Sequence, residues 1–249
     1  MKHEIGAEIQ KGRRRHDMLL ALLMGLIAVG WATQSKPRME DELASGYSAL
    51  LYALPLMNTI IMPICMAVLA SRLWDMEAKS GSLKLLFTLQ SRGSLFAGKV
   101  LVGMAQNALI CAVEGAGLLV LGRLQGFTQA VPADHLAWLL LCTYLVNAML
   151  FFAEFALCVH SDTQVLALGT GAVFSLIGVF GAFMPPVLSY FMPWGYYMPL
   201  DSVLMHWDSE TRISTFEMTD FNGPILAVCV ALMGICAVLA WRAIEKKEV

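Results

Sequence analysis

An all-α, polytopic membrane protein with six transmembrane helices is the fold class this sequence predicts, and three observations carry it. The first is composition: of 249 residues, 58% are hydrophobic and only 14% charged, with a mean hydropathy of +0.65. A soluble domain carries about 25% charge, so lipid is the solvent this chain suits. The second is a series of apolar runs, each near the length of about 20 residues that crosses about 30 Å of hydrocarbon. The third is the distribution of lysine and arginine, which orients those runs.

Taken in order, residues 1–17 are basic and partly amphipathic, with Ile5, Ile9 and the Arg13–Arg15 run. They predict an amphipathic N-terminal helix lying along the inner leaflet, where each basic residue contributes about 1 kcal/mol against anionic lipid. No small-residue cleavage site follows, so the next run reads as an anchor that stays in the membrane. The spans are placed at 18–35, 46–70, 100–122, 136–159, 163–184 and 221–241 within a single domain, 1–249. With the N-terminus inside, thirteen of the 17 lysines and arginines fall in cytoplasmic segments. Only Lys36, Arg38, Arg123 and Arg212 fall outside. That bias favours six spans with both termini in the cytoplasm.

Two connections stand out. Residues 71–98 form a cytoplasmic loop in which Leu83, Leu86, Phe87 and Leu89 make a short apolar face, with Ser80 or Ser82 as a helix cap. Arg72, Lys84 and Arg92 flank it. Such a helix docks on a protein partner or lies on the inner leaflet. The outer loop 185–220 begins with an uncharged stretch of four prolines and five aromatics, Pro185 to Pro199, including Pro193, Trp194, Tyr196 and Tyr197. Prolines break helices and amphipathic aromatics favour the interface, so a re-entrant segment between spans five and six is expected. It is either an aromatic belt or an outer gate meeting an amphiphilic substrate. The second half of the loop, with Asp201, Asp208, Glu210, Glu217 and Asp220, reads as a wet outer face.

Several chemistries are excluded. A net charge of −2 offers no basic face for nucleic acid. Gly93–Lys99 nearly matches a phosphate-binding loop, but Val100 stands where the magnesium-binding hydroxyl belongs and no strand precedes it. His160-Ser161-Asp162 are adjacent and cannot converge into a hydrolase triad. The six cysteines sit in apolar runs as small hydrophobes, and no histidine has metal-ligand spacing. Catalytic and metal residues are therefore not expected in this chain.

Glu114 and Glu154 interrupt spans three and four. Ionisable groups in the bilayer are expensive and are candidates for function. Each either fastens two helices or takes part in a substrate path or proton relay. Gly115 and Gly117 beside Glu114 permit close helix packing. Asn58, Gln106, Asn107 and Asn147 read as interhelical hydrogen-bonding groups.

The run Glu77-x-x-x-Gly81-Ser82-Leu83-Lys84-Leu-Leu-x-Thr88-Leu89, followed by Ser91-Arg92 and Gly98-Lys99 entering a span, resembles the first cytoplasmic loop of type-2 ABC exporter permeases. Glu8 to Arg15 before the first span is similar to the same region of those permeases. Pro193-Trp194-Gly-Tyr196-Tyr197 resembles the lantibiotic self-protection (immunity) branch. The resemblance implies a non-enzymatic half-transporter in a bacterial cell membrane. It would pair with a second permease subunit, homologous or identical, and with a separate ATPase dimer that holds the ATP and magnesium. It also implies a coupling helix in the 71–98 loop, with Glu77, Gly81, Ser82, Leu83, Lys84, Leu86 and Phe87 in that role. The cargo implied is a lantibiotic-type, amphiphilic antimicrobial peptide, and the acidic half of the outer loop would suit its cationic charge. A proton-coupled secondary transporter using Glu114 and Glu154, or an ABC exporter of drugs or lipids, are the competing readings.

Overall fold

A computed structural model describes residues 10, 12, 15–32, 43–79, 83–161, 163–182, 184, 186–210 and 214–247. The helices, in chain order, are α1 (Asp17–Ala32), α2 (Gly46–Lys79), α3 (Leu83–Leu89), α4 (Arg92–Leu124), α5 (Ala133–Ser161), α6 (Gln164–Ala182), the one-turn α7 (Pro186–Ser189) and α8 (Gly223–Glu245). Four of them, α2, α4, α5 and α8, are long and apolar enough to cross a membrane; α1 and α6 are shorter apolar helices. The expected amphipathic helix at 1–17 and the end of the first span at 33–35 fall almost wholly outside the described residues.

The sequence accounts for these boundaries locally. Ser91 caps α4 by accepting from the Ser94 N–H at 3.3 Å, and Asn222 caps α8 by accepting from Ile225 N–H at 3.4 Å. Both helices then run through predominantly apolar sequence. The second span was placed at 46–70, and the helix that contains those residues, α2, continues to Lys79. Residues 71–79 contain no glycine or proline to stop the helix, and Arg72 and Glu77 find partners on α1 and α4. Pro55 and Pro63 lie inside α2. One turn before Pro63, Ser175 of α6 donates to the Ile60 carbonyl and ties the two helices together.

α2 and α5 form the centre of the bundle. α2 packs on α1, α4, α5 and α6, and α5 packs on α4, α6 and α8. Close approach depends on small residues, as expected where both helices and lipid are apolar. A Cβ at Gly117 would lie 2.7 Å from Val29 Cγ1 of α1, and one at Gly171 of α6 would lie 2.7 Å from the Ala67 Cβ of α2.

The 201–220 stretch, expected from sequence to be a wet outer face, holds an element not expected from sequence. Val203–Trp207 (β1) and Ser214–Met218 (β2) form an antiparallel hairpin with Val203 opposite Met218 and Trp207 opposite Ser214. The hairpin leans on α2, where Tyr52 and Phe216 rings lie 6.0 Å apart.

Candidate functional site

One end of the bundle gathers most of its buried charge. Glu77, on the last turn of α2, is 2% exposed, and Lys99, one turn into the apolar part of α4, is fully buried. Lys99 Nζ lies 2.7 Å from Glu77 Oε2 and 2.5 Å from the Leu73 carbonyl. Two desolvated charges survive only when each satisfies the other and their remaining hydrogen-bonding capacity. At the same end, Arg72 of α2 grips Asp17 at the start of α1 through Nε at 2.8 Å and a terminal nitrogen at 2.6 Å. Lys247 donates to the Val159 carbonyl of α5 at 2.7 Å.

Between these ties sits α3, the seven-residue reversal joining α2 to α4. Leu83 is buried, and Leu86 and Phe87 are half-buried, so these three face the bundle. The outward face is Lys84, Leu85, Thr88 and Leu89, with Leu85 61% and Leu89 73% exposed. Of the coupling residues expected from sequence, Lys84 is at the surface and Glu77 is locked inside. Gly81 and Ser82 fall outside the described residues. Sequence reasoning missed Leu85 as the outward apolar residue and Lys99 as the partner of Glu77. A lone cation at the start of an otherwise apolar run was the signal available for Lys99.

At membrane depth, Glu114 of α4 is fully buried and accepts from Asn58 Nδ2 of α2 at 3.2 Å. Glu114 Oε1 and Asn58 Oδ1 have no hydrogen-bond partner among the described residues. Glu154 of α5 meets Thr170 Oγ1 of α6 at 2.9 Å. The two carboxyls therefore engage different helix pairs. A third set runs from Tyr197, whose hydroxyl donates to Asn147 Oδ1 at 2.5 Å. Asn147 donates in turn to Asn107 Oδ1 at 2.9 Å, and Asn107 to the Tyr144 carbonyl at 2.9 Å. The outer segment is thus pinned to the middle of α5 and α4.

The other outer residues expected to matter are also held in. Trp194 stacks on Phe174 of α6 with ring centroids 4.0 Å apart and 22° between planes, and Pro193 opens the 3-10 turn Pro193–Gly195 that presents it. Tyr196 is buried and donates to the Tyr190 carbonyl at 2.6 Å. Further along, Trp138 of α5 donates to the Leu200 carbonyl at 2.8 Å, and Asn222 to the Pro199 carbonyl at 3.1 Å. A cavity of about 10 Å³ lies between Trp138, Cys142, Tyr197 and Asp201, room for about one water. Asp201 Oδ1 accepts from Val203 N–H at 3.1 Å, while its Oδ2 has no partner among the described residues. Burial pushes this carboxyl well above the usual carboxylate range, outweighing the backbone hydrogen bonds that pull it down.

Long apolar helices in an alternating bundle, glycine-mediated packing and hydrogen-bonded polar groups at depth define a multi-pass α-helical membrane protein. The transport class follows from comparison with known proteins. Residues 5–182 match the family model described as ABC-2 family transporter protein, and the chain belongs to that family. The match runs from before α1 to the end of α6; the outer segment, hairpin and α8 lie beyond it. Members are membrane components of ABC transporters and generally work with an ATPase partner. No curated protein matches the chain.

Proposed function

We propose that this chain is the permease half of an ABC exporter with six spans and both termini in the cytoplasm of a bacterial cell. A second permease subunit and an ATPase dimer, which holds the ATP and magnesium, complete it. The observation that carries the reading is α3, a short helix with apolar Leu85 and Leu89 outward, set between two membrane helices whose ends are locked by Glu77–Lys99. A surface of that kind suits a groove on a soluble partner. The helix lies at the lysine- and arginine-rich end, where ATP is available. Purification in mild detergent should recover an ATPase with the chain, and Leu85→Asp with Leu89→Asp should abolish that recovery without loss of expression. A stable, transport-active protein free of ATPase would sink the reading.

For the cargo, we infer an amphiphilic cationic peptide of the lantibiotic type. Support comes from the Pro193–Tyr197 resemblance and from the exposed Asp208, Glu210, Glu217 and Asp220 of the hairpin region. A strain lacking the chain should become more sensitive to lanthionine-containing cationic peptides than to neutral detergents. Equal sensitivity to both would point to drugs or lipids instead. Buried Glu114 and Glu154 favour a second, proton-coupled reading, which requires transport that survives ATP depletion and is lost in Glu154→Gln.

A further inference from the structure

We infer that Arg92 joins the coupling helix α3 to the last membrane helix α8, so that a displacement of α3 is delivered directly to α8. The inference rests on the exporter reading above, because it takes α3 as the element an ATPase moves.

Arg92 opens α4, and its guanidinium makes two contacts of different kinds. Its central carbon lies 4.8 Å over the centroid of the Phe87 ring of α3. One terminal nitrogen donates to the Ile244 carbonyl of α8 at 3.3 Å and also to the Glu245 carbonyl. The last four carbonyls of a helix have no intrahelical donor and carry the negative end of its dipole, so a cation is favoured there. Arg92 thus completes the terminus of α8 while its plane covers a ring of α3. The surrounding packing makes the seat specific. Phe96 and Trp241 rings are 5.6 Å apart, and a Cβ on Gly93 would fall 3.6 Å from the Trp241 ring. The first turn of α4 is therefore the bed on which the last turn of α8 rests.

α8 has particular need of such a link. It is the least buried of the four long apolar helices and leans chiefly on α5. At this end Lys247 also donates to the Val159 carbonyl, a tie that leads to α5 and away from α3. Arginine suits the position because a planar guanidinium stacks and donates together, whereas a lysine ammonium is a point charge that cannot stack in that way.

The test uses the complex of this chain with its ATPase in lipid nanodiscs, with amide hydrogen exchange followed before and after trapping with ATP and vanadate. In the wild type, trapping should change exchange both in 83–96 and in 240–247. In Arg92→Gln, 83–96 should still respond while 240–247 does not, and the last-turn amides of α8 should exchange roughly fivefold faster, the factor one net hydrogen bond represents. Arg92→Lys keeps the charge at the carbonyls without the stack. It should retain slow exchange in 240–247 and still lose the response to trapping, which a merely structural cap would not do. A response in 240–247 that persists in both variants overturns the inference and leaves the exporter reading intact. A purified chain without an ATPase overturns the exporter reading, and this inference with it, before any exchange is measured.

Discussion

Lys99 and Glu77 are each costly to bury alone, and the cost fixes what their removal should do. Lys99→Met leaves the Glu77 carboxylate at 2% exposure with its 2.7 Å partner gone. Breaking a buried pair from one side destabilises by about 3–5 kcal/mol, whereas replacing both members with groups of similar volume is often close to neutral. Thermal unfolding of the purified protein should therefore show a large drop for Lys99→Met and recovery when Glu77→Gln is added. No recovery in the double variant would mean that Lys99 matters for something besides Glu77. Glu77 was legible in the sequence as a motif position, but its partner was not: the pair closes across a chain reversal, and no local pattern encodes that distance. Asp201 supplies a second prediction at this scale. Its folded value is raised above the ordinary carboxylate value of about 3.9, so the folded chain keeps a proton that the unfolded chain has released. Its contribution to stability is complete below about pH 4 and is lost as pH rises through the folded value. The 196–210 segment should resist limited proteolysis better at acidic than at alkaline pH, and Asp201→Asn should flatten that dependence.

Among the elements, the same substitution should have opposite effects in two helices. A Cβ at Gly122 of α4 would run into the Tyr47 ring of α2, and the residue is held by packing on that side. Gly234 of α8 has nothing within 4 Å of the corresponding position. Overpacking costs about 1–3 kcal/mol. A glycine-to-alanine change at an open helical site gains about 0.4–1 kcal/mol by restricting the unfolded chain. Gly122→Ala should lower the unfolding temperature and Gly234→Ala should hold or raise it; equal effects would mean that α2 and α4 are not in contact there. The long helices themselves were readable, because long, predominantly apolar sequence leaves few alternatives in lipid. The hairpin at 203–218 was not. Apolar Leu204, Met205 and Trp207 are exposed in β1, so no inward–outward alternation marks the strand. A two-stranded ribbon is marginal by itself, and this one depends on α2 for support. The inward turn of Leu83, Leu86 and Phe87 was likewise invisible, since a seven-residue apolar helix has no sequence mark for which neighbour it will face.

At the scale of the whole molecule, two independent features place the same helix ends together. Charge counting assigns the N-terminus, the α2–α4 connection and the C-terminus to one side. The structure ties those regions to one another through Asp17–Arg72, Glu77–Lys99 and Arg92 with the end of α8. At the opposite end, Ser48 meets Gln129, Trp138 meets Leu200 and Asn222 meets Pro199. The lysine and arginine bias predicts that the end holding Glu77–Lys99 faces the cytoplasm, and the prediction can be checked directly. The native cysteines are buried except for the half-buried Cys236, so labelling of the wild type should be low. Thr88→Cys on α3 and Lys246→Cys after α8 are both exposed positions, as is Glu210→Cys beside the hairpin. A membrane-impermeant maleimide applied to intact cells should label 210 and spare 88 and 246, and permeabilisation should expose both. Labelling of 88 and 246 from outside, with 210 protected, would invert the molecule and remove α3 from any contact with ATP. Labelling of 88 and 246 on different sides would break the even number of crossings on which the coupling argument stands.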